Sequence, residues 1–312
     1  MKRIKHYLYV PFVGLGLYGG YRGDRWFRNR IKIFKQFVIP SLQAQTNQNF
    51  TVWISFTRDQ RGMDEIVALE GVLKAAGLKY IFTYSGICFY DDKHPIGEAR
   101  AKLVENLHHT MPQLLDDLSE VDEIYMTIQP SDDCYHSGAV REIQTIIKDY
   151  EAVGYKFGYI CNYFELKVSD YNPTTNPPFY TIKFDKETFI DPILHVDYTA
   201  LKHDVPGYKA GTPLPSHEWV GDCLVYRKLD IRGFLVGCHS ENISTYYDHP
   251  FKGLRLSDEL RWNTIDSFGL MYAQPLFLKK SLRKEILRKL PFWLQKKLRY
   301  WWAEKIYNWL RR

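Results

Sequence analysis

Short apolar runs alternate with helically spaced stretches through the first half of the chain, and this alternation predicts its elements. Tyr7–Phe12 is one such run. Trp26–Phe37 follows with Phe27, Ile31, Phe34 and Val38 at helical spacing, and Phe50–Phe56 reads as a strand. Met63–Ala76 predicts a helix ended by Gly77, and Lys79–Tyr84 the next strand. Gly97–Leu107 is helical and continues toward Leu118 past a break near Pro112, Glu123–Gln129 is a strand, and His136–Val153 is a helix. Strand and helix units in series predict an α/β fold, with a mainly parallel sheet covered by helices on both faces. From Gly154 the pattern shortens. Strand-like Tyr155–Cys161 and Tyr180–Phe184 flank the Pro-rich stretch Tyr171–Phe179, and Phe234–Val236 is a further apolar strand.

The 312 residues are 45% hydrophobic and 25% charged, which suits a globular chain that can bury a full core. Aromatics reach 16%, with 23 Tyr and 8 Trp, a richness that suits a Tyr-rich core and equally a carbohydrate-binding or membrane-interface surface. The five cysteines (Cys88, Cys134, Cys161, Cys223 and Cys238) form no C-x-x-C pair, so a zinc knuckle or disulfide framework is not expected and a reducing compartment fits. The start of the sequence shows no signal-peptide pattern, and no apolar stretch reaches the ~18 residues that span a bilayer. Charge is uneven. Residues 279–312 hold twelve Lys/Arg and two Asp/Glu, so the net charge of +6 resolves into +10 on this segment and −4 on the rest. A basic appendage on a mildly acidic body does not predict a nucleic-acid binder. After Pro291, residues Leu294, Leu298, Trp301, Trp302, Ile306 and Trp309 share one helical face, with Lys296, Lys297, Arg299 and Lys305 elsewhere. That pattern fits a helix lying in an anionic membrane surface, and also a terminal helix packed on its own domain.

The candidate chemistry centres on Asp132 and Asp133, which follow the apolar run Glu123–Gln129 at the point where a buried strand ends. Ligands of open α/β sheets bind at the carboxyl ends of strands, and two adjacent carboxylates there repel each other unless a cation or a proton relieves them. A hard divalent ion that also holds substrate phosphates would do so. Turn and N-cap chemistry explains an Asp-Asp pair as well.

Four blocks resemble the rhamnosyltransferase family of bacterial glycan clusters, nucleotide-sugar glycosyltransferases of the GT-A fold. They are Trp26–Arg30 running through Phe34 and Phe37 into Pro40–Phe50, then Gln129–Asp133, Pro215–Val220 and Cys238–Ser244. The first is similar to a "helix, P-S-L-x-A-Q-T, strand" opening. The second stands where the family has a D-x-D-D motif, with Pro130 in place of its first Asp. The resemblance, which spans residues 6 to about 250, implies a GT-A domain over residues 1–278, with a nucleotide-sugar half at 1–153 and an acceptor half at 154–278, ahead of the basic tail at 279–312. It implies Mn2+ or Mg2+ held by Asp133, with His239 as a second ligand, a surface histidine being the alternative. Asp132 would face ribose or share the ion. Asp59 resembles a nucleotide-contacting Asp, and Arg100 could pair with the diphosphate or form a surface ion pair. For an inverting displacement, Glu218 and Asp222 are the candidate bases, with Asp222 preferred as preceding a helix at Cys223–Lys228. The implied partners are a nucleotide-sugar donor, a glycan or lipid-linked acceptor and, through 279–312, the inner face of the cytoplasmic membrane. A non-catalytic GT-A binder and a metal-dependent nucleotidyltransferase remain the other readings. Val13–Gly20 is only a faint version of the Gly-rich loop that the latter needs.

Overall fold

The computed structural model describes residues 2–12, 24–85, 109–190, 217, 220–239, 242 and 256–278. It divides into two compact units, Met1–Leu276 and Phe277–Arg312, and every element described below lies in the first. The helix expected at 97–107 and those expected beyond 279 fall outside the described residues.

Four strands, β1 (Ile4–Pro11), β2 (Thr51–Thr57), β3 (Tyr80–Ser85) and β4 (Glu123–Ile128), pair in parallel in the order β3-β2-β1-β4. Beyond β4 the sheet becomes mixed. It adds β5 (Cys134–Tyr135), β6 (Ala152–Asn162), β7 (Lys167–Tyr171), β8 (Tyr180–Asp185) and β9 (Tyr226–Cys238). The full order among the described residues is β3-β2-β1-β4-β8-β6-β9-β5, with β7 on β6. Because β8 is antiparallel to both β4 and β6, and β9 is parallel to β6, the strands β1, β2, β3, β4, β6 and β9 all point the same way. Their carboxyl ends therefore share one edge.

Both faces of the parallel half are covered. Tyr7 and Tyr9 face one core with Trp53, Leu114 and Phe189, while Leu8 and Val10 face the other with Phe27, Ile31, Leu69 and Leu73. That is why Thr51–Thr57 is buried at every position, including its polar ones. The helices on the second face are α1 (Asp24–Ile33), α2 (Ile39–Gln43) and α3 (Asp64–Ala75). Between α1 and α2, Phe34–Val38 forms a π turn, closed by the Ile39 N–H on the Phe34 carbonyl. Pro40 explains it. A proline offers no N–H to the carbonyl four residues back and crowds it, so the helix widens just before the ring. At the end of α3, Gly77 takes φ +69°, and the N–H groups of Gly77 and Leu78 return to Lys74 and Leu73, as a left-handed C-terminal glycine allows.

Two expected helices are corrected. The helix predicted at His136–Val153 is α4 (Ala139–Ile146) with one 3-10 turn to Asp149, after which the chain enters β6 at Ala152. The helix predicted at Cys223–Lys228 is instead a four-residue turn, Val220–Cys223, leading into β9. In both places strand pairing decides, Ala152 lying opposite Tyr226.

A buried histidine gives the fold a pH dependence. His6 on β1 is 2% exposed, its Nδ1 accepts from Gln144 Nε2 at 3.0 Å, and its Nε2 donates to Thr127 Oγ1 at 2.7 Å. Burial pushes its pKa down to about 3. The unfolded imidazole takes up a proton near pH 6.5 that the folded one refuses, so this stability is present above 6.5 and is lost as pH falls toward 3. Urea denaturation should give an unfolding free energy about 2 kcal/mol lower at pH 5 than at pH 7.5 from this group, and His6→Gln should remove that difference.

Candidate active site

Two loops meet at the carboxyl edge. One leaves β4 through Gln129–Asp133 and crosses to β9, where Cys134 and Tyr135 of β5 pair antiparallel with Leu235 and Phe234. The other leaves β9 at Cys238 and carries His239. Since β4 and β9 point the same way, Asp132, Asp133 and His239 come together although more than a hundred residues separate them in sequence.

The cluster is held tightly. Gln129 Nε2 donates to the carbonyls of Pro130 (2.9 Å) and Asp133 (2.8 Å), which folds the loop back on itself. Asn242 fixes the second loop, its Oδ1 receiving the His239 N–H at 3.0 Å and its Nδ2 reaching the Gly237 carbonyl at 2.6 Å. Gly237 must be glycine for a steric reason. A Cβ there would run into the Asp132 carbonyl and the Tyr163 ring. Tyr163 closes the floor, its hydroxyl donating to the Asp132 carbonyl at 3.0 Å and its ring stacked on Phe37, with centroids 3.7 Å apart. Phe37 lies in the π turn, so the widening forced by Pro40 bears on where that ring sits.

The two carboxylates have opposite surroundings. Asp132 Oδ2 is bonded by Arg30 Nη1 from α1 and lies 2.9 Å from His239 Nε2. Burial alone would raise the Asp132 pKa, but the Arg30 charge and the His239 hydrogen bond outweigh it, so this carboxyl is held below its ordinary value. Asp133 receives the Gly237 N–H on Oδ1 at 2.8 Å, and burial, followed by the charge of Asp132, pushes its pKa up.

Asp59 stands on the same edge, exposed in the turn Arg58–Gln60 after β2, two strands from β4. Asp222 does not. It lies four residues before β9, where Val225 pairs with Glu151 ahead of β6, and ten residues of paired strand, about 33 Å, separate that end from Asn162 and Cys238 at the carboxyl edge. This corrects the expectation that it serves as the base of this site. Glu218 and Arg100 lie outside the described residues. The sequence reading gave no role to Arg30, which carries a charge into the core, or to Asn242, Gly237 and Tyr163. The available signal was the spacing of Arg30, three and four residues from Phe27, Trp26 and Phe34 on the apolar face of a mostly polar helix.

The donor set does not fit an ion shared by Asp133 and His239. An ionised carboxylate only accepts, so His239 Nε2 spends its proton on Asp132 and has no lone pair there for a metal. Among the described residues no group of three or more His, Cys, Asp or Glu is placed to hold one.

An acidic pair at the strand ends of an α/β sheet, tied to a buried arginine and a histidine, is thus the constellation this fold presents. No family model matches the sequence, and no curated protein matches it. Among solved structures the chain is similar to S. aureus TarS residues 1–349, at 12% identity over 90% of this chain and 77% of that one, with a TM-score of 0.37. A longer TarS chain gives 10% identity and a TM-score of 0.35, covering 94% of this chain and 46% of its own length. A protein described as a nucleotide-diphospho-sugar transferase from Desulfovibrio desulfuricans G20 gives 13% identity over 86% and 96%, with a TM-score of 0.31.

Magnitudes rank the contacts. Removing one partner of a buried ion pair costs roughly 3–5 kcal/mol, against about 1 kcal/mol for an aromatic stack. Asp132→Ala, which removes the carboxylate that meets the buried Arg30 guanidinium, should therefore lower the unfolding free energy by about 3 kcal/mol, and Phe37→Leu by about 1 kcal/mol, in matched denaturation curves.

Proposed function

We propose that this chain transfers a sugar from a nucleotide-diphosphate donor to a glycan or lipid-linked acceptor, as a glycosyltransferase of GT-A type. The observation that carries this reading is the Asp132–Asp133 pair, held against Arg30 and His239 at the carboxyl edge of the sheet, where α/β folds bind nucleotides. Asp59 on that edge supports it as a contact to the nucleotide, in keeping with the sequence resemblance.

In this reading the acceptor hydroxyl attacks the anomeric carbon as the bond to the diphosphate breaks, and its proton passes to a base. Electrostatic stabilisation of the departing diphosphate is the main demand on the protein. The resemblance names rhamnose, so dTDP-rhamnose leads the list of donors, and an inverting course is the one expected. A second reading, binding without turnover, has one observation in its favour: Asp132 is already closed by Arg30, and Pro130 stands where the family has an Asp.

Nucleotide release should be followed for wild type and Asp133→Asn with dTDP-rhamnose and UDP-, GDP- and CMP-linked donors. One donor should be consumed, and the substitution should slow its consumption at least a hundredfold without lowering Tm, a loss of about 2.7 kcal/mol of transition-state stabilisation. Binding of a donor without release would favour the second reading.

The basic, Trp-rich segment 279–312 supports peripheral attachment to an anionic membrane, and among the described residues no helix is long and apolar enough to cross one. Deleting 279–312 should abolish flotation with anionic liposomes and leave turnover of a soluble acceptor intact; unchanged flotation would remove the membrane from this account.

A further inference from the structure

Two neighbouring carboxylates at a strand end need a counter-charge, and in this family resemblance a divalent ion is the expected one. The fold already contains another. Arg30 is 1% exposed, its guanidinium carbon lies 5.0 Å from the centroid of the Trp26 ring, and Nη1 bonds Asp132 Oδ2. Helix α1 presents it to the cluster, and His239 Nε2 meets the same oxygen at 2.9 Å. The Gly237 N–H occupies Asp133 Oδ1, and Pro130 supplies no third carboxylate.

We propose that Arg30 is the resident counter-cation of the Asp132–Asp133 pair and excludes Mn2+ and Mg2+ from it. An incoming ion would have to displace a guanidinium that is buried, at 1% exposure, from the carboxylate it meets. Uncompensated, such a buried charge is unfavourable enough to weaken ion binding by on the order of a hundredfold or more. A guanidinium also differs from an ion in what it gives the pair. It is fixed in place, always charged and directional, so the loop geometry is set before any substrate arrives. The inference rests on the same site as the proposed function but concerns its cation, and the two can fail separately.

The test is a calorimetric Mn2+ titration of the full chain, with no nucleotide present, on wild type, Arg30→Met, Asp133→Asn and the double variant Arg30→Met/Asp132→Asn. Wild type should show no saturable binding tighter than about millimolar, the weak end of protein oxygen sites. Arg30→Met should bind Mn2+ at least tenfold tighter than wild type, and the double variant should lose that gain. Micromolar binding by wild type that Asp133→Asn abolishes would overturn the proposal, as would a folded Arg30→Met with no gain. Should Arg30→Met not fold, the wild-type and Asp133→Asn titrations decide alone. A chain that consumes no sugar nucleotide and yet behaves as expected here would sink the proposed function and leave this role of Arg30 standing.

Discussion

The contact between Arg30 and Asp132 is the constraint around which the carboxyl edge is organised. A guanidinium at 1% exposure needs a carboxylate to meet it, and that carboxylate is fixed in turn by the loop Gln129–Asp133. The contact ties α1 to the end of β4, elements a hundred residues apart, and it does so at the point where His239 arrives from β9. Neutral contacts around it, such as the Phe37–Tyr163 stack, contribute less individually but decide where the charged groups sit. One consequence is a division of labour between two adjacent aspartates. Asp132 is kept ionised by its neighbours, while burial works against charge on Asp133.

Topology supplies the rest. Six strands pointing the same way place the loops after β2, β4 and β9 on a single edge, so chemistry scattered over residues 59 to 239 converges there. Small devices then fix the final geometry: the Pro40-driven π turn that follows the helix carrying Arg30, the missing side chain at Gly237, and the Asn242 clamp on His239. Each acts through sterics or hydrogen bonding over a few ångströms, which is how a site built on long-range strand pairing gains a defined shape.

Much of the scaffold was legible in the sequence because parallel strands covered on both faces appear as apolar runs. Tyr7–Phe12, Phe50–Phe56, Lys79–Tyr84 and Glu123–Gln129 each match a strand to within a few residues, and Gly77 marks the end of its helix. The convergence of Asp132, Asp133 and His239 was legible too, from strand-end position and motif resemblance together. The errors arose where non-local pairing overrides local spacing. Ile143, Ile146, Ile147 and Tyr150 suit a continuing helix, but Ala152 is claimed by β9. Asp222 looked like a helix-leading acid beside the site, and only the direction of β9 shows that it belongs to the opposite end of the sheet. Arg30 was invisible as a site residue because its partner lies far along the chain, and a charge in an amphipathic helix ordinarily faces water.

The loops after β4 and β9 are proposed to form one ligand site for a sugar nucleotide. Hydrogen–deuterium exchange of the full chain, with and without a saturating nucleotide-diphosphate sugar, tests it most directly. The account predicts joint slowing of the amides in 129–134 and 237–242, together with those following β2 near Asp59. Protection confined to other segments, or none at concentrations where binding is established by another method, would contradict it.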